Sequence, residues 1–113
     1  MKLLIIILKQ EHLLDQVSSI LLEVGLYGST VLDGENIETL ADSPMPLFSS
    51  FKSLFGEDYS YNRTIISPVE NNESIQDFLN ICAHEGIDLS DPEIGVLLTV
   101  PCLIYTGENS NEL

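Results

Sequence analysis

The stretch KLLIIILK, Lys2 to Lys9, limits the fold more than any other part of the chain. Six consecutive Leu and Ile residues do not alternate with polar ones, so the run reads as a strand with apolar contacts on both faces, in the interior of a sheet. Such a strand needs neighbours on both sides, and the rest of the sequence offers them. EHLLDQVSSILLEVG puts Leu13, Leu14, Val17, Ile20, Leu21 and Val24 on one side of an amphipathic helix that Gly25 stops. YGSTVLDG follows as a short second strand. RTIISPV, Arg63 to Val69, reads as a third, with Pro68 expected at its end or on an edge. NNESIQDFLNICAHEG is a second helix, capped by Asn71 or Asn72, with Glu73 in its first turn and Gly86 at its end. Its stripe is Ile75, Phe78, Leu79 and Cys82. EIGVLLTVPCLIYTG reads as a long last strand interrupted at Pro101, and ENSNEL as a frayed polar tail.

The order β-α-β-β-α-β predicts an α+β chain with the ferredoxin-like split arrangement, an antiparallel sheet carrying both helices on one face. A chain of 113 residues is the size of one domain. The expected domain runs over 1–108 with an inserted loop and helix at 34–62, and 109–113 form a flexible tail. Val, Ile and Leu alternate little in the first and last strands, so the second sheet face also needs cover, which self-association supplies.

The insertion contains SPMPLFSSFKSLFG. Leu47, Phe48, Phe51, Leu54 and Phe55 share one helical face, opposite Ser49, Ser50, Lys52 and Ser53. Pro44 or Pro46 fits the first turn and Gly56 the stop. A helix of about ten residues is marginal alone. It is expected to lean on the protein's own sheet, a partner's groove or a membrane surface, the last being poorly served by a single Lys.

Charge narrows the functions. Eighteen acidic residues against four basic ones give a formal charge of −14. Nucleic acid is excluded as a partner, because phosphate contacts need clustered Lys and Arg, and an anionic membrane is disfavoured. Cys82 and Cys102 lie in apolar patterns without zinc or disulfide spacing and read as buried thiols. The first apolar run stops at Lys9 with no small-residue cleavage site, and no segment approaches a membrane span, so a cytoplasmic protein without membrane insertion is expected. Glu35, Glu38, Asp42, Glu57 and Asp58 around the insertion, and Asp88, Asp91 and Glu93 before the last strand, read as solvated rims. A hard-cation site is the alternative, without EF-hand spacing. His12 and His84 stand at helix ends. No Ser-His-Asp or Cys-His grouping points to catalysis, so the chain is not expected to be an enzyme.

MKLLIIILK, LLEVGLYGSTVLD and GVLLTVPCLIYTGE, in this order and spacing, resemble the first strand, the helix end with second strand, and the last strand of the PII-like signalling proteins. The resemblance covers nearly the whole chain apart from the insertion. It implies a homotrimer that binds a small ligand such as ATP, ADP or AMP in clefts between subunits and acts through its middle loop on a partner protein. The matching cleft positions are Thr30, Leu32, Asp33 and Gly34, with Pro68, Ile94 and Gly95. The loop positions facing a partner are Phe48, Phe51, Leu54 and Phe55. The chain departs from the family where phosphates are held. A glycine-rich turn with a Lys is replaced by LSDPEIG, and two Arg of the last strand fall among Leu103, Tyr105 and Gly107. Lys2, Lys9, Lys52 and Arg63 all lie elsewhere in the sequence. A triphosphate needs charge-assisted donors, so the ATP-type site is expected to be degenerate and the ligand neutral or cationic. A ligand-free structural or adaptor trimer, or a metal-binding PII-like protein, is the alternative. No cofactor follows from the residues.

Overall fold

The computed structural model describes residues 1–37 and 62–107. The helix expected within 43–56, with Phe48, Phe51, Leu54 and Phe55, lies outside the described residues, as does the end of the chain from 108 onward. The elements are β1 (Lys2–Leu8), a 3-10 turn (Glu11–Leu13), α1 (Leu14–Glu23), β2 (Thr30–Asp33), β3 (Arg63–Val69), α2 (Asn72–His84) and β4 (Gly95–Pro101).

The four strands form one sheet in the order β2-β3-β1-β4, and every neighbouring pair is antiparallel. An α+β chain with two helices and this sheet is compatible with the split ferredoxin-like arrangement. The apolar run Leu3–Leu8 occupies a central strand, flanked by β3 and β4, as its lack of alternation requires.

Period-two alternation sorts the side chains by face. Leu4, Ile6 and Leu8 of β1 and Ile65 and Val69 of β3 are buried with Leu13, Val17, Ile20, Leu21, Phe78 and Cys82 of the helical layer. Ser67 is the one buried polar residue of that layer among the described residues, and its hydroxyl pairs with that of Ser29 at 2.9 Å. Ser29 in turn donates to the Leu26 carbonyl at 2.7 Å, so the pair is satisfied.

Among the described residues no helix lies on the other face. Leu3, Ile5 and Ile7 of β1 and Ile66 of β3 are only half-buried there, and Val96, Leu98 and Val100 of β4 are exposed. The register aligns them in rows: Leu3 lies opposite Pro68 and Val100, and Ile5 opposite Ile66 and Leu98. Thr30 and Leu32 of β2 continue these rows through Ile66 and Thr64. No residue of this open face is charged.

Local sequence explains the boundaries. The first helical turn is 3-10 rather than α, with Gln10 making no side-chain cap. Asn71 caps α2 by accepting from the Ser74 amide at 3.1 Å. Changing Asn71 to Ala is expected to lower stability by about 1 kcal/mol, read as a shifted urea midpoint with unchanged slope. Gly25 and Gly86 end their helices at φ +88° and +87°. β4 is shorter than the sequence predicts. It ends at Pro101, the Cys102 amide bonds the Met1 carbonyl at 3.1 Å, and residues 103–107 are outside the strand, because proline removes the ladder donor. Pro68 sits inside β3, but β2 flanks that strand only as far as Ile66, so one side of β3 is uncovered at Pro68.

Cys82 is buried to 1% exposure, as the sequence predicts, whereas Cys102 is half-buried. Burial, helped by the nearby Glu85 charge, pushes the Cys82 thiol up to about 11 from 9.0. The neutral thiol is thus favoured in the folded state, and its contribution to stability fades as pH rises from 9 towards 11. Ellman's reagent at pH 8 is expected to label Cys102 in the folded protein and Cys82 only on addition of denaturant. Equal rates at both thiols would contradict the buried placement.

Candidate functional site

The positions expected to line a cleft fall into separate groups. Asp33 and Gly34 stand at one end of the sheet, on its β2 edge. Asp33 faces Arg63 across the hairpin and makes an ion pair at 2.6 Å. The Gly34 amide donates to the Asn62 carbonyl at 2.9 Å. A Cβ on Gly34 would lie 2.8 Å from the Asn62 side-chain oxygen, so the absence of a side chain lets that amide group close over the turn. Thr30 and Leu32 lie along the same strand on the open face, both exposed.

Ile94 and Gly95 stand at the same end of the sheet but on the opposite edge, at the start of β4. Asp33 pairs with Arg63, Arg63 with Leu8, and Leu8 with Gly95, which puts three strand spacings, roughly 14 Å, between the two groups. Pro68 lies at the far end of the open face, opposite Leu3. A single copy of the chain therefore does not bring these positions together.

The turn leading into β4 is closed upon itself. The Asp88 carboxylate accepts from the Ser90 amide at 2.9 Å and its hydroxyl at 2.5 Å. The Asp91 carboxylate accepts from the Glu93 amide at 2.9 Å. The Asp91 amide donates to the Asp88 carbonyl, and the Ile94 and Gly95 amides converge on the Asp91 carbonyl at 2.9 and 3.3 Å. Pro92 has no amide hydrogen. Lys9 clamps the turn from β1, with its ammonium on the Pro92 carbonyl at 2.9 Å and its amide on the Ile94 carbonyl at 3.0 Å. Gln10 adds a bond to the Glu93 carbonyl at 2.9 Å. A backbone anion site needs several amides left pointing outward together. Here the amides of residues 90, 91, 93, 94 and 95 are all engaged. The hydroxyl and amide of Ser90 hold the Asp88 carboxyl below its usual range, so this turn carries its negative charge to lower pH.

Two basic residues outside the expected set each stand beside one group of it. Arg63 sits against Asp33, and Lys9 against the turn before β4. The hairpin register, once fixed by Asp33 opposite Arg63, is the signal that would have placed the first of them. Both are engaged, one with a carboxylate and one with a carbonyl. Leu103, Tyr105 and Gly107, among which the resemblance places phosphate-holding positions, are exposed beyond the end of β4. An open groove of about 560 Å³ lies on the helical side, where Glu23 and Gly25 meet Asp77 and Asn80, and it contains none of the expected positions. Among the described residues no group of His, Cys, Asp and Glu is arranged to hold a metal ion, and no helix is long and apolar enough to cross a membrane.

Comparison with protein-family models and with curated proteins finds no match.

Proposed function

We propose that this chain is a PII-like regulatory protein: a homotrimer that takes a small ligand between subunits and signals through its middle loop to a partner protein. The observation that carries the reading is the division of the cleft positions between the two outer strands. Asp33 and Gly34 lie on the β2 edge and Ile94 and Gly95 on the β4 edge, at the same end of the sheet. A head-to-tail ring, with the β2 edge of one copy beside the β4 edge of the next, makes one cleft from the two halves. The strand order is compatible with this reading, and the resemblance of the strand sequences supports it.

The chemistry of that cleft favours a neutral or cationic ligand. The amides of the β4 turn are engaged, its side chains include Asp88, Asp91 and Glu93, and the chain carries −14. A nucleotide triphosphate would approach each cleft against a negative field, with Arg63 and Lys9 already engaged. Thermal-shift screening of the purified protein against nucleotides, metal ions and small metabolites tests the reading. A neutral or cationic metabolite is expected to raise the melting temperature. Silence across the panel would favour an adaptor that works by surface contacts alone. For Mg-ATP, calorimetry is expected to give a dissociation constant well above micromolar. A micromolar or tighter value would overturn the degenerate phosphate site.

A further inference from the structure

We propose that Asp33–Gly34 is a modification site, a peptide bond that isomerises spontaneously to isoaspartate when the end of β2 leaves the sheet and stays intact while β2 is paired. The proposal stands on the β2–β3 hairpin alone and holds with or without the ligand and the trimer of the reading above.

The sequence supplies the reactive bond. Asp33 is the one Asp of the chain that Gly follows, and no Asn is followed by Gly. In the reaction the Gly34 nitrogen attacks the carbon of the protonated Asp33 carboxyl, water leaves, and a five-membered succinimide closes. Water then opens the ring at either carbonyl and gives back Asp or gives isoaspartate. No oxidant, reductant or cofactor takes part. A side chain on the following residue crowds the attacking nitrogen, and glycine has none.

The structure supplies the restraint, in three parts. Asp33 is the last residue of β2, in extended backbone opposite Arg63. Ring closure has to swing the Gly34 nitrogen over the Asp33 side chain, a rotation outside the strand region. The Arg63 guanidinium holds the Asp33 carboxylate at 2.6 Å, an ion pair that ring closure abolishes. The Gly34 amide, whose proton must leave for the attack, donates it to the Asn62 carbonyl at 2.9 Å.

The restraint sits on the weakest part of the sheet. β2 has four residues, all exposed, against seven in each other described strand. Among the described residues it pairs with β3 alone. Such a segment opens at a lower free energy than the core, and one opening releases all three parts together. Isoaspartate carries the main chain through its side-chain carbon, so one extra carbon enters the backbone and Asp33 no longer faces Arg63 in register. A modified chain therefore keeps its β2 end open, and the bond records how often that end has left the sheet.

The test is ageing of the full chain at neutral pH and physiological temperature, followed by peptide mapping with a protease that cuts before Asp and not before isoaspartate. Wild type is aged folded and in urea, beside folded R63Q. Loss of cleavage at Asp33 is expected at least about tenfold faster in urea than in the folded wild type, with R63Q between the two. Equal rates in folded and unfolded wild type overturn the proposal, and R63Q ageing no faster than wild type overturns the part given to the ion pair. Hydrogen exchange at the Gly34 amide gives an answer without a variant. Its protection in the wild type is expected to match the ratio of the urea and folded rates. A Gly34 amide that exchanges freely beside an unmodified Asp33 overturns the proposal, because something other than the hairpin would then guard the bond.

Discussion

Gly95→Ala is expected to destabilise the fold by about 3 kcal/mol or more, enough to shift the urea midpoint by a molar unit or beyond. A Cβ at this position would lie 2.3 Å from the Ile7 carbonyl oxygen, 3.3 Å from its carbon and 3.4 Å from the Leu8 Cα. All three are backbone atoms of the central strand, so no side chain can rotate away. Relief requires β4 to withdraw from β1 by nearly an ångström, which breaks ladder bonds where the Ile94 carbonyl also receives the Lys9 amide. A variant within about 1 kcal/mol of wild type would mean that the strands part without loss, and the close approach would then have no energetic role. Gly95 is thereby accounted for by packing alone.

Phe78→Ala is expected to be the most damaging core truncation. Phe78 is fully buried, the largest of the fully buried side chains among the described residues, and belongs to the cluster that joins α1 and α2 to the sheet. Loss of a buried Phe side chain removes about 3–5 kcal/mol, through lost transfer energy and the cavity left behind. Domains of this size hold about 5–15 kcal/mol in all, and each kilocalorie corresponds to roughly 4 °C. A fall in melting temperature on the order of 15 °C by circular dichroism is the expected result. A fall under about 4 °C would place Phe78 in a site that collapses readily, contrary to its burial.

What was legible in the sequence was what local pattern determines. The unbroken Leu and Ile run of β1 announced a central strand, because only a strand between two others can use apolar residues on both sides. The stripes of both helices followed from their spacing, and the cap was narrowed to Asn71 or Asn72, of which the structure uses Asn71. The last strand was overextended because LIYT has strand composition, while the missing donor of Pro101 decided the boundary. The short 3-10 start of the first helix left no mark in the apolar spacing. The candidate cleft is a set of positions that the resemblance implies, and the sequence does not place them in space. Its members are separated by strand order, which depends on pairings between distant segments. The same holds for Arg63 and Lys9, which pairing brings beside Asp33 and Ile94. The closure of the β4 turn depends on which amide each carboxylate reaches, and spacing alone does not report that.

The sheet order also governs when the fold can form. β1 finds both of its partners late: one begins at Arg63 and the other at Gly95. A ribosome adding about 5–20 residues per second leaves β1 without either neighbour for several seconds. During that interval the most apolar segment of the chain is outside the tunnel with no ladder to join, and long-range pairing of this kind is slow to close. Nascent chains stalled before β4 has emerged are therefore expected to expose β1 to protease, and chains stalled after it to protect β1. Resistance already in the shorter chains would show that β3 and the helices suffice. A chaperone that grips short apolar stretches would find its target as soon as β1 emerges and lose it only when Pro101 is clear of the tunnel.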